Sequence, residues 1–317
     1  MPSLHRRTFL ATAALATPSL VLSHKNAAAD SLKTFRIGYQ KASVTLAIAK
    51  AQNRFETKLA PLGWSVSWAE FTSGPPMMEA LAARAIDFAF TGEPPVIFAQ
   101  AAHTDLVYVA ATQPGPRDIG ILKPAGSKLD SVAALKGKRV AVAKGSSAHY
   151  LLVSALEHAN VPYSSVEKVF LQPPDARAAF ASGAVDAWSI WDPFYAGAQA
   201  AGATLLVNGE GLMPGRSFYS ADRRFAEKNP SILMQAISIL NDQEQWEKAN
   251  QTKMAQLIAP SIGLPESVLK IWFAREKYGV EPMTPEIFAA QQKIADTFFK
   301  LGIIPEKITV TDARWTT

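Results

Sequence analysis

The sequence contains no cysteine among its 317 residues. That excludes disulfides, thiolate zinc sites, iron–sulfur clusters, a cysteine nucleophile and a lipid carried on an N-terminal Cys. Glycine (18) and proline (21) are too sparse for a collagen-like or low-complexity chain. Bases and acids are too nearly balanced, and apolar residues too numerous, for a disordered one. No apolar run reaches the roughly 20 residues that span a bilayer. The phosphate-cradling G-x-G-x-x-G and P-loop patterns are missing, as is the G-x-S-x-G elbow of a serine nucleophile. Basic clusters interleaved with aromatics are missing too, which removes the electrostatic footprint of a nucleic-acid binder. Beyond residue 29 the histidines are His103, His149 and His158, and none is spaced from another as metal ligands are. Neither a metal nor a cofactor is expected.

What remains is a globular chain, 48% hydrophobic and 19% charged. At roughly 150 residues per domain its length suggests two domains or two lobes. Residues 1–29 carry Arg6, Arg7 and Lys25 and no acid, then an apolar stretch over 9–22, then Ala27-Ala28-Ala29 before Asp30. Basic start, apolar middle and small residues at a cleavage point describe an export signal cut after Ala29. The adjacent arginines before Thr8-Phe9-Leu10 give it a twin-arginine character, although they also serve as an ordinary basic start for the Sec route. Removing it takes away three bases and no acids. The remainder then has 29 bases against 27 acids and a net charge of +2, so the high isoelectric point is partly the signal's.

From residue 35 short apolar runs alternate with Ala-rich stretches of helical spacing. The pattern predicts strands over 35–39, 66–71, 88–90, 106–111, 139–143, 168–171, 187–190 and 204–207, and helices over 45–54, 76–83, 95–101, 149–158 and 176–181. Such alternation is α/β and implies parallel sheets, doubly wound. After about residue 222 only helices are expected, over 229–250, 252–259, 265–277 and 285–301, forming a C-terminal helical cap. Residues 80–90 and 178–188 echo each other: a helix end, a small-residue turn, then an aliphatic-Asp step (Ile86-Asp87, Val185-Asp186) into a strand.

In such sheets ligands bind beyond the carboxyl ends of the strands. Four strand ends stand out: Gln40-Lys41-Ala42-Ser43, Thr91-Gly92-Glu93-Pro94-Pro95, Lys144-Gly145-Ser146-Ser147-Ala148-His149 and Trp191-Asp192-Pro193-Phe194. Most open a helix with Gly, Ser, Thr or Pro, leaving free N–H groups and a dipole that favour an anion. Gly145-Ser146-Ser147 is the strongest single candidate, although two serines can also simply cap a helix. Lys41 and Lys144 are nearly the only cations there, whereas a phosphate ester usually draws Arg or Lys forks. A sulfonate, with one delocalised charge, can be satisfied by neutral donors. Glu93 and Asp192 can cap turns, brace an interface or receive a ligand ammonium. Trp188 and Trp191, three apart on a strand, cannot point the same way, so one faces the core and one a ligand. Phe194 and Tyr195 are expected in the core. His149 is expected to donate from the first turn of its helix into the cleft.

These residues resemble the periplasmic solute-binding proteins of aliphatic sulfonate importers, within the wider group for taurine, nitrate and thiamine precursors. Carrying the resemblance are Ile37-Gly38-Tyr39-Gln40-Lys41, Gly74-Pro75 with Glu79-Ala80-Leu81, Thr91-Gly92-Glu93-Pro94-Pro95 with Phe98-Ala99-Gln100, and Lys144 to His149. Pro174 to Phe180, Val185-Asp186-Ala187-Trp188 with Ile190-Trp191-Asp192-Pro193, and Ser217-Phe218-Tyr219 complete it. The resemblance implies a two-lobed, type II-like periplasmic binding protein with two crossovers, near 117–121 and 215–220. Lobe I would take 30–117 plus 218–317, and lobe II 118–217. It implies a monomer that hands an aliphatic sulfonate to an ABC permease and its ATPase for sulfur acquisition, without catalysis or lipid anchor. The residues it assigns to the ligand are Gln40, Ser43, Thr91, Gly92, Glu93, Ser146, Ser147, His149, Trp191 and Asp192. Glu93, where the family often has Asp, and Arg216 depart from the pattern; Arg216 is expected either at the cleft rim or, by preference, solvated on the surface. A taurine binder, with Glu93 or Asp192 holding the amine, is the alternative within the class, a nitrate or other small-anion binder another, and an enzyme on the same fold a more distant one. Mass spectrometry of the exported protein is expected to find a chain beginning at Asp30; one retaining Arg6 and Arg7 would contradict cleavage.

Overall fold

The computed structural model describes residues 33–316, so the export segment expected over 1–29 lies outside the described residues. The strands are β1 Lys33–Gln40, β2 Trp64–Phe71, β3 Phe88–Gly92, β4 Leu106–Thr112, β5 Ile119–Lys123, β6 Arg139–Val142, β7 Glu167–Phe170, β8 Ala187–Trp191, β9 Thr204–Asn208, β10 Ser217–Asp222 and β11 Val280–Glu281. The helices are α1 Val44–Ala51, α2 Arg54–Leu59, α3 Gly74–Ala82, α4 Glu93–Ala101, α5 Ser147–His158, α6 Pro173–Ala181, α7 Phe194–Ala200, α8 Arg223–Lys228, α9 Pro230–Ala249, α10 Gln251–Ile262, α11 Glu266–Phe273 and α12 Pro285–Lys300. The helix expected over 45–54 is divided at Asn53, whose φ of 51° is left-handed and ends one helix before the next begins.

Two sheets result, in the orders β11-β4-β10-β3-β1-β2 and β7-β6-β8-β5-β9. The α/β expectation holds, but the sheets are mixed rather than parallel. β10 runs antiparallel between β3 and β4, and β5 runs antiparallel between β8 and β9. Each is the first strand after the chain passes from one sheet to the other. Much of the two segments expected as bare crossovers is therefore strand, and the chain changes sheet over 113–118 and 209–216. Entering from the neighbouring sheet, such a strand arrives reversed, and a short run such as Ile119-Gly120-Ile121-Leu122 carries no signal of direction. β11, paired antiparallel to β4, is likewise a strand inside the expected all-helical tail.

The sequence echo has a structural counterpart. Asp87 and Asp186 each enter a strand (β3, β8) that pairs parallel with β1 or β6. Asp87 accepts from the backbone N–H of Arg36 (2.9 Å) and from its guanidinium (2.5 Å), and Asp186 accepts from the N–H of Arg139 (2.7 Å). Each carboxylate satisfies an N–H of the neighbouring strand, within β1 at Arg36 and at the start of β6 at Arg139, so the two sheets share the same device.

Alternating side chains cover both faces. On the first sheet Phe218 packs with Met77, Val96 and Phe298, whereas Tyr219 packs with Phe35, Phe88 and Leu240. On the second, Ala187 joins α5 on one face and Trp188 and Ile190 join Ala176 and Tyr195 on the other. A fifth cluster ties α10 and α11 to Val44 and Ile48 of α1 and Ala196 of α7, so the helical tail touches elements of both sheets. Asp87 is buried and its loss would strand the Arg36 N–H, so Asp87→Ala is expected to cost about 1–3 kcal/mol in denaturant unfolding. A change too small to measure would contradict the clamp.

Candidate functional site

A cavity of about 100 Å³ opens where the carboxyl ends of β1, β3, β6 and β8 meet. Four helices begin at its wall: α1 contributes Val44 and Thr45, α3 Gly74, α4 Gly92 and Pro95, and α5 Ser146 and Ser147. Each carries roughly half a positive charge at that end, and α1 and α5 leave their first N–H groups free, whereas Pro75, Pro76, Pro94 and Pro95 have no N–H and leave α3 and α4 only those of Gly74 and Glu93 in the first three positions. Two of these ends nearly touch across the sheets. A Cβ built on Gly92, the N-cap of α4, would lie 1.9 Å from Ser147 Oγ, and one on Gly74 2.4 Å from Pro95. Glycine leaves room at both for these close approaches, and a side chain at either would displace its neighbour.

The two serines divide. Ser146 is the buried N-cap of α5: its hydroxyl donates to the Ala143 carbonyl (2.6 Å) and accepts from the His149 N–H (3.3 Å). Ser147 is half-buried and lines the cavity beside Gly92. Gln40 is held by its amide to the Phe90 carbonyl (3.1 Å) and also lines it.

Four of the expected ligand residues stand behind the wall. Ser43 is buried in the turn before α1 with Oγ unpartnered, and the Thr91 hydroxyl donates to the Gly92 carbonyl (3.1 Å). Glu93 accepts from the Arg216 N–H (2.9 Å), bracing the returning chain, and burial pushes its carboxyl up to about 7. His149 turns away from the cleft. Its Nδ1 accepts from the Gly145 N–H (3.2 Å), which leaves Nε2 protonated and donating to Tyr163 Oη (2.6 Å). Burial, with Lys144 and Lys168 nearby, lowers it to about 4, so the ring is neutral and holds the Gly145 turn rather than a ligand.

Trp191 lines the cavity and Trp188 is in the core, as a spacing of three on one strand demands. Tyr195 is buried, but Phe194 is only half-buried and lines an outer groove. Asp192 lines the cavity yet is spoken for: it accepts from the Ala196 N–H (2.8 Å) and from Arg275 (2.8 Å), and burial raises it to about 6 despite that cation. Arg275 lies 3.9 Å over the Tyr195 ring and also bonds Gln199, fastening the helical tail to the second sheet. Arg216 is not solvated. It lines the cavity while its guanidinium is held by Glu281 (2.8 Å) and the Thr112 carbonyl (2.5 Å).

The sequence reading missed one wall. Asp118, Glu244, Glu276 and Tyr278 also line the cavity, beside the Tyr219 that the sequence motif Ser217-Phe218-Tyr219 had named, with Glu247 buried behind them against Thr45 (3.0 Å) and Gln243 (3.0 Å). Burial raises Glu244 to about 7, and Glu247 and Glu276 to about 8; Asp118 is raised by burial and by Glu276 and Asp192. A signal was present in α9. Its apolar stripe Ile232, Leu233, Ala236, Ile239, Leu240 continues in the same spacing as Gln243, Glu244 and Glu247, all buried. Acids on the core face of a helix are costly there without partners, which Glu247 finds in Thr45 and Gln243.

Past Gln40 and Trp191 the cleft widens into a groove of about 400 Å³ that includes Phe71, Phe194, Ile262 and Leu264. Across its mouth Ser73 Oγ donates to Gln172 Oε1 (2.7 Å), joining the β2–α3 loop to the start of α6.

The model of the NMT1-like family matches residues 29–259. An aliphatic sulfonates-binding protein of Escherichia coli (strain K12) is 38% identical over 291 residues, 91% of this chain and 91% of its own. Among solved structures, the alkanesulfonate-binding protein SsuA from Xanthomonas axonopodis pv. citri bound to MOPS is 38% identical with a TM-score of 0.86, over 90% of this chain and 98% of that one. The periplasmic aliphatic sulphonate-binding protein SsuA from Escherichia coli is 38% identical with a TM-score of 0.82, over 89% and 97%.

The carboxyl wall has a measurable consequence. Glu93, Glu244, Glu247 and Glu276 hold their protons more tightly folded (about 7, 7, 8 and 8) than at their ordinary 4.5, so the native state binds more protons and loses stability as pH rises through this range. His149, lowered from 6.5 to about 4, acts oppositely, and its contribution is lost only as pH falls below 6.5. Without ligand, the protein is expected to melt higher at about pH 6 than at about pH 9; the reverse order would contradict the burial of these acids.

Proposed function

This chain belongs to the NMT1-like family, and from that premise we propose that it is an extracytoplasmic solute-binding protein. It captures aliphatic sulfonates in the cleft between its sheets and delivers them to an ABC importer, for sulfur acquisition. The observation that carries the reading is the meeting of α4 and α5 at Gly92 and Ser147, with α1 and α3 beginning at the same wall. Fixed N–H donors and one hydroxyl suit a group with a single delocalised charge. A phosphate ester would want the guanidinium fork that Arg216 and Arg275 have already given to Glu281 and Asp192. The apolar side chains of the outer groove give an organic tail a place to go.

Homologues that are sulfonate-binding proteins support this reading, and the E. coli one is described as periplasmic. MOPS, found with the Xanthomonas protein, is itself an organic sulfonate. The segment 1–29 would serve export, 30–117 with 218–317 and 118–217 would be the two lobes that close on the ligand, and the protein would dock on its permease and ATPase as a monomer. The role in this reading is binding rather than catalysis: His149 has its Nδ1 on the Gly145 N–H and its Nε2 on Tyr163, so it does not serve the Ser147 hydroxyl as a general base. Ligand-binding residues in this reading are Gln40, Gly92, Ser147 and Trp191 directly, with Ser43, Thr91, Glu93, Ser146, His149 and Asp192 holding them in place.

Thermal melting against alkanesulfonates, sulfate and nitrate tests the reading, because a ligand of the native state raises Tm with ln(1 + [L]/Kd). A rise with alkanesulfonates and none with sulfate is expected; a rise with nitrate alone, or none at all, would contradict it. Ser147→Ala is expected to weaken sulfonate binding by about 0.5–1.5 kcal/mol, one neutral hydrogen bond. Gly92→Ala should displace the Ser147 hydroxyl and weaken sulfonate binding, and full affinity in it would contradict the site. Ser146→Ala should cost about 1 kcal/mol of stability, as a lost helix cap does.

A further inference from the structure

Two helix starts face each other across the mouth of the cleft, and neither uses its N-cap side chain as a cap. Ser73 ends the loop after β2 of the first sheet, and Gln172 ends the loop after β7 of the second. Ser73 is the N-cap of α3, in extended backbone, and its hydroxyl makes no cap bond. A serine there ordinarily accepts from the N–H two or three residues on. Those residues are Pro75 and Pro76, which have none. Capping cannot be the role of this hydroxyl. Ser73 is completely buried, and its Oγ donates instead to Gln172 Oε1 (2.7 Å). Gln172, the N-cap of α6, is followed by Pro173 and Pro174 and likewise makes no cap bond. Its carbonyl oxygen has two lone pairs, and the second hydroxyl it accepts is Thr72 Oγ1 (3.2 Å).

The neighbours of these residues line both parts of the cleft: Gly74 the inner cavity, Thr72 and Pro174 the outer groove. Arg275 also reaches the second sheet, but its bond to Asp192 is a buried ion pair. The link at Gln172 is of another kind. It joins neutral groups, and both Gln172 and Thr72 are exposed. Such a bond has a small net worth because water replaces it when the groups part. A tie of that strength can be broken and remade at every capture.

We propose that Ser73, Thr72 and Gln172 form a latch that closes over a bound ligand and sets how long the ligand stays, not how fast it enters. The proposal rests on the preceding subsection's reading that the lobes close on a sulfonate. Entry precedes closure, so the latch contributes nothing to it. Escape requires opening, and opening breaks both bonds. Without Gln172 the Ser73 hydroxyl would be buried unpartnered in the closed form alone, a cost the open form escapes. The three are positioning residues, acting on the ligand through the closed cleft.

Stopped-flow fluorescence, with Trp191 in the cavity as reporter, gives both rate constants for butanesulfonate. Gln172→Ala is expected to raise koff about two- to tenfold, the worth of a neutral hydrogen bond, with kon unchanged. Ser73→Ala should raise koff less, because Thr72 still reaches Gln172. Added to Gln172→Ala, it should raise koff no further, since the two act through one bond. Ligand-free and open, Ser73→Ala should melt with the wild type, in contrast to Ser146→Ala, which removes a true cap. An unchanged koff in Gln172→Ala, or additive effects of the two changes, would overturn the latch while the sulfonate site stands. A lower ligand-free melting temperature in Ser73→Ala would do the same. If the wild-type protein gives neither signal nor heat with butanesulfonate, the sulfonate reading fails and takes the latch with it.

Discussion

A charge taken out of water must be met by groups already fixed in place, and at Ser147 and Gly92 those groups are helix ends rather than side-chain cations. This requirement orders the rest of the molecule. Helix ends from two different sheets can meet only if the chain crosses between the sheets and returns, which places β5 and β10 antiparallel inside otherwise parallel neighbours. They can approach closely when a small residue stands at the contact, as Gly92 does against Ser147, while Gly74 lets α3 approach α4 within the first sheet. Glu93, Ser146 and His149 serve the same end from behind: each uses its hydrogen bonds to hold a loop that carries a cavity residue.

The helical tail is part of the binding wall as well as a cap. α9 and the segment after α11 bring Glu244, Glu276 and Tyr278 to the cavity, and Arg275 reaches from there to Asp192 and Gln199 on the second sheet. Burying several carboxyls together disfavours their charged forms and pushes them upward. Such an arrangement destabilises the empty protein and leaves a ligand something to relieve.

Much of this was legible in the sequence, for physical reasons. Strands and helices announce themselves by period, so eight strands and the four long tail helices fall close to their expected places. Strand ends that open helices pick out the cavity at Gln40, Gly92, Ser147 and Trp191 because N-terminal chemistry is local. The spacing of Trp188 and Trp191 was enough to split their roles. Direction was not legible: nothing in Ile119–Lys123 or Ser217–Asp222 says which way a strand will run once it enters a sheet from outside. Side-chain aim was not legible either. His149 and Ser147 occupy one turn of one helix, yet only the structure shows that the imidazole turns back to Gly145 and Tyr163. Tyr219, Glu244 and Glu276 come together from distant parts of the chain, and only the acids on the core face of α9 hinted at it.

The central claim is that helix ends, not basic side chains, hold the anion, and locating the anion tests it most directly. Anomalous diffraction from the sulfur of a bound alkanesulfonate gives its position without assumption. The account expects the sulfur at the junction of α4 and α5, with sulfonate oxygens at hydrogen-bond distance, about 3 Å, from Ser147 Oγ and the first N–H groups of α5, since Pro94 and Pro95 have no N–H to give. Sulfur beside Arg216 or Lys277, remote from Gly92, would contradict it.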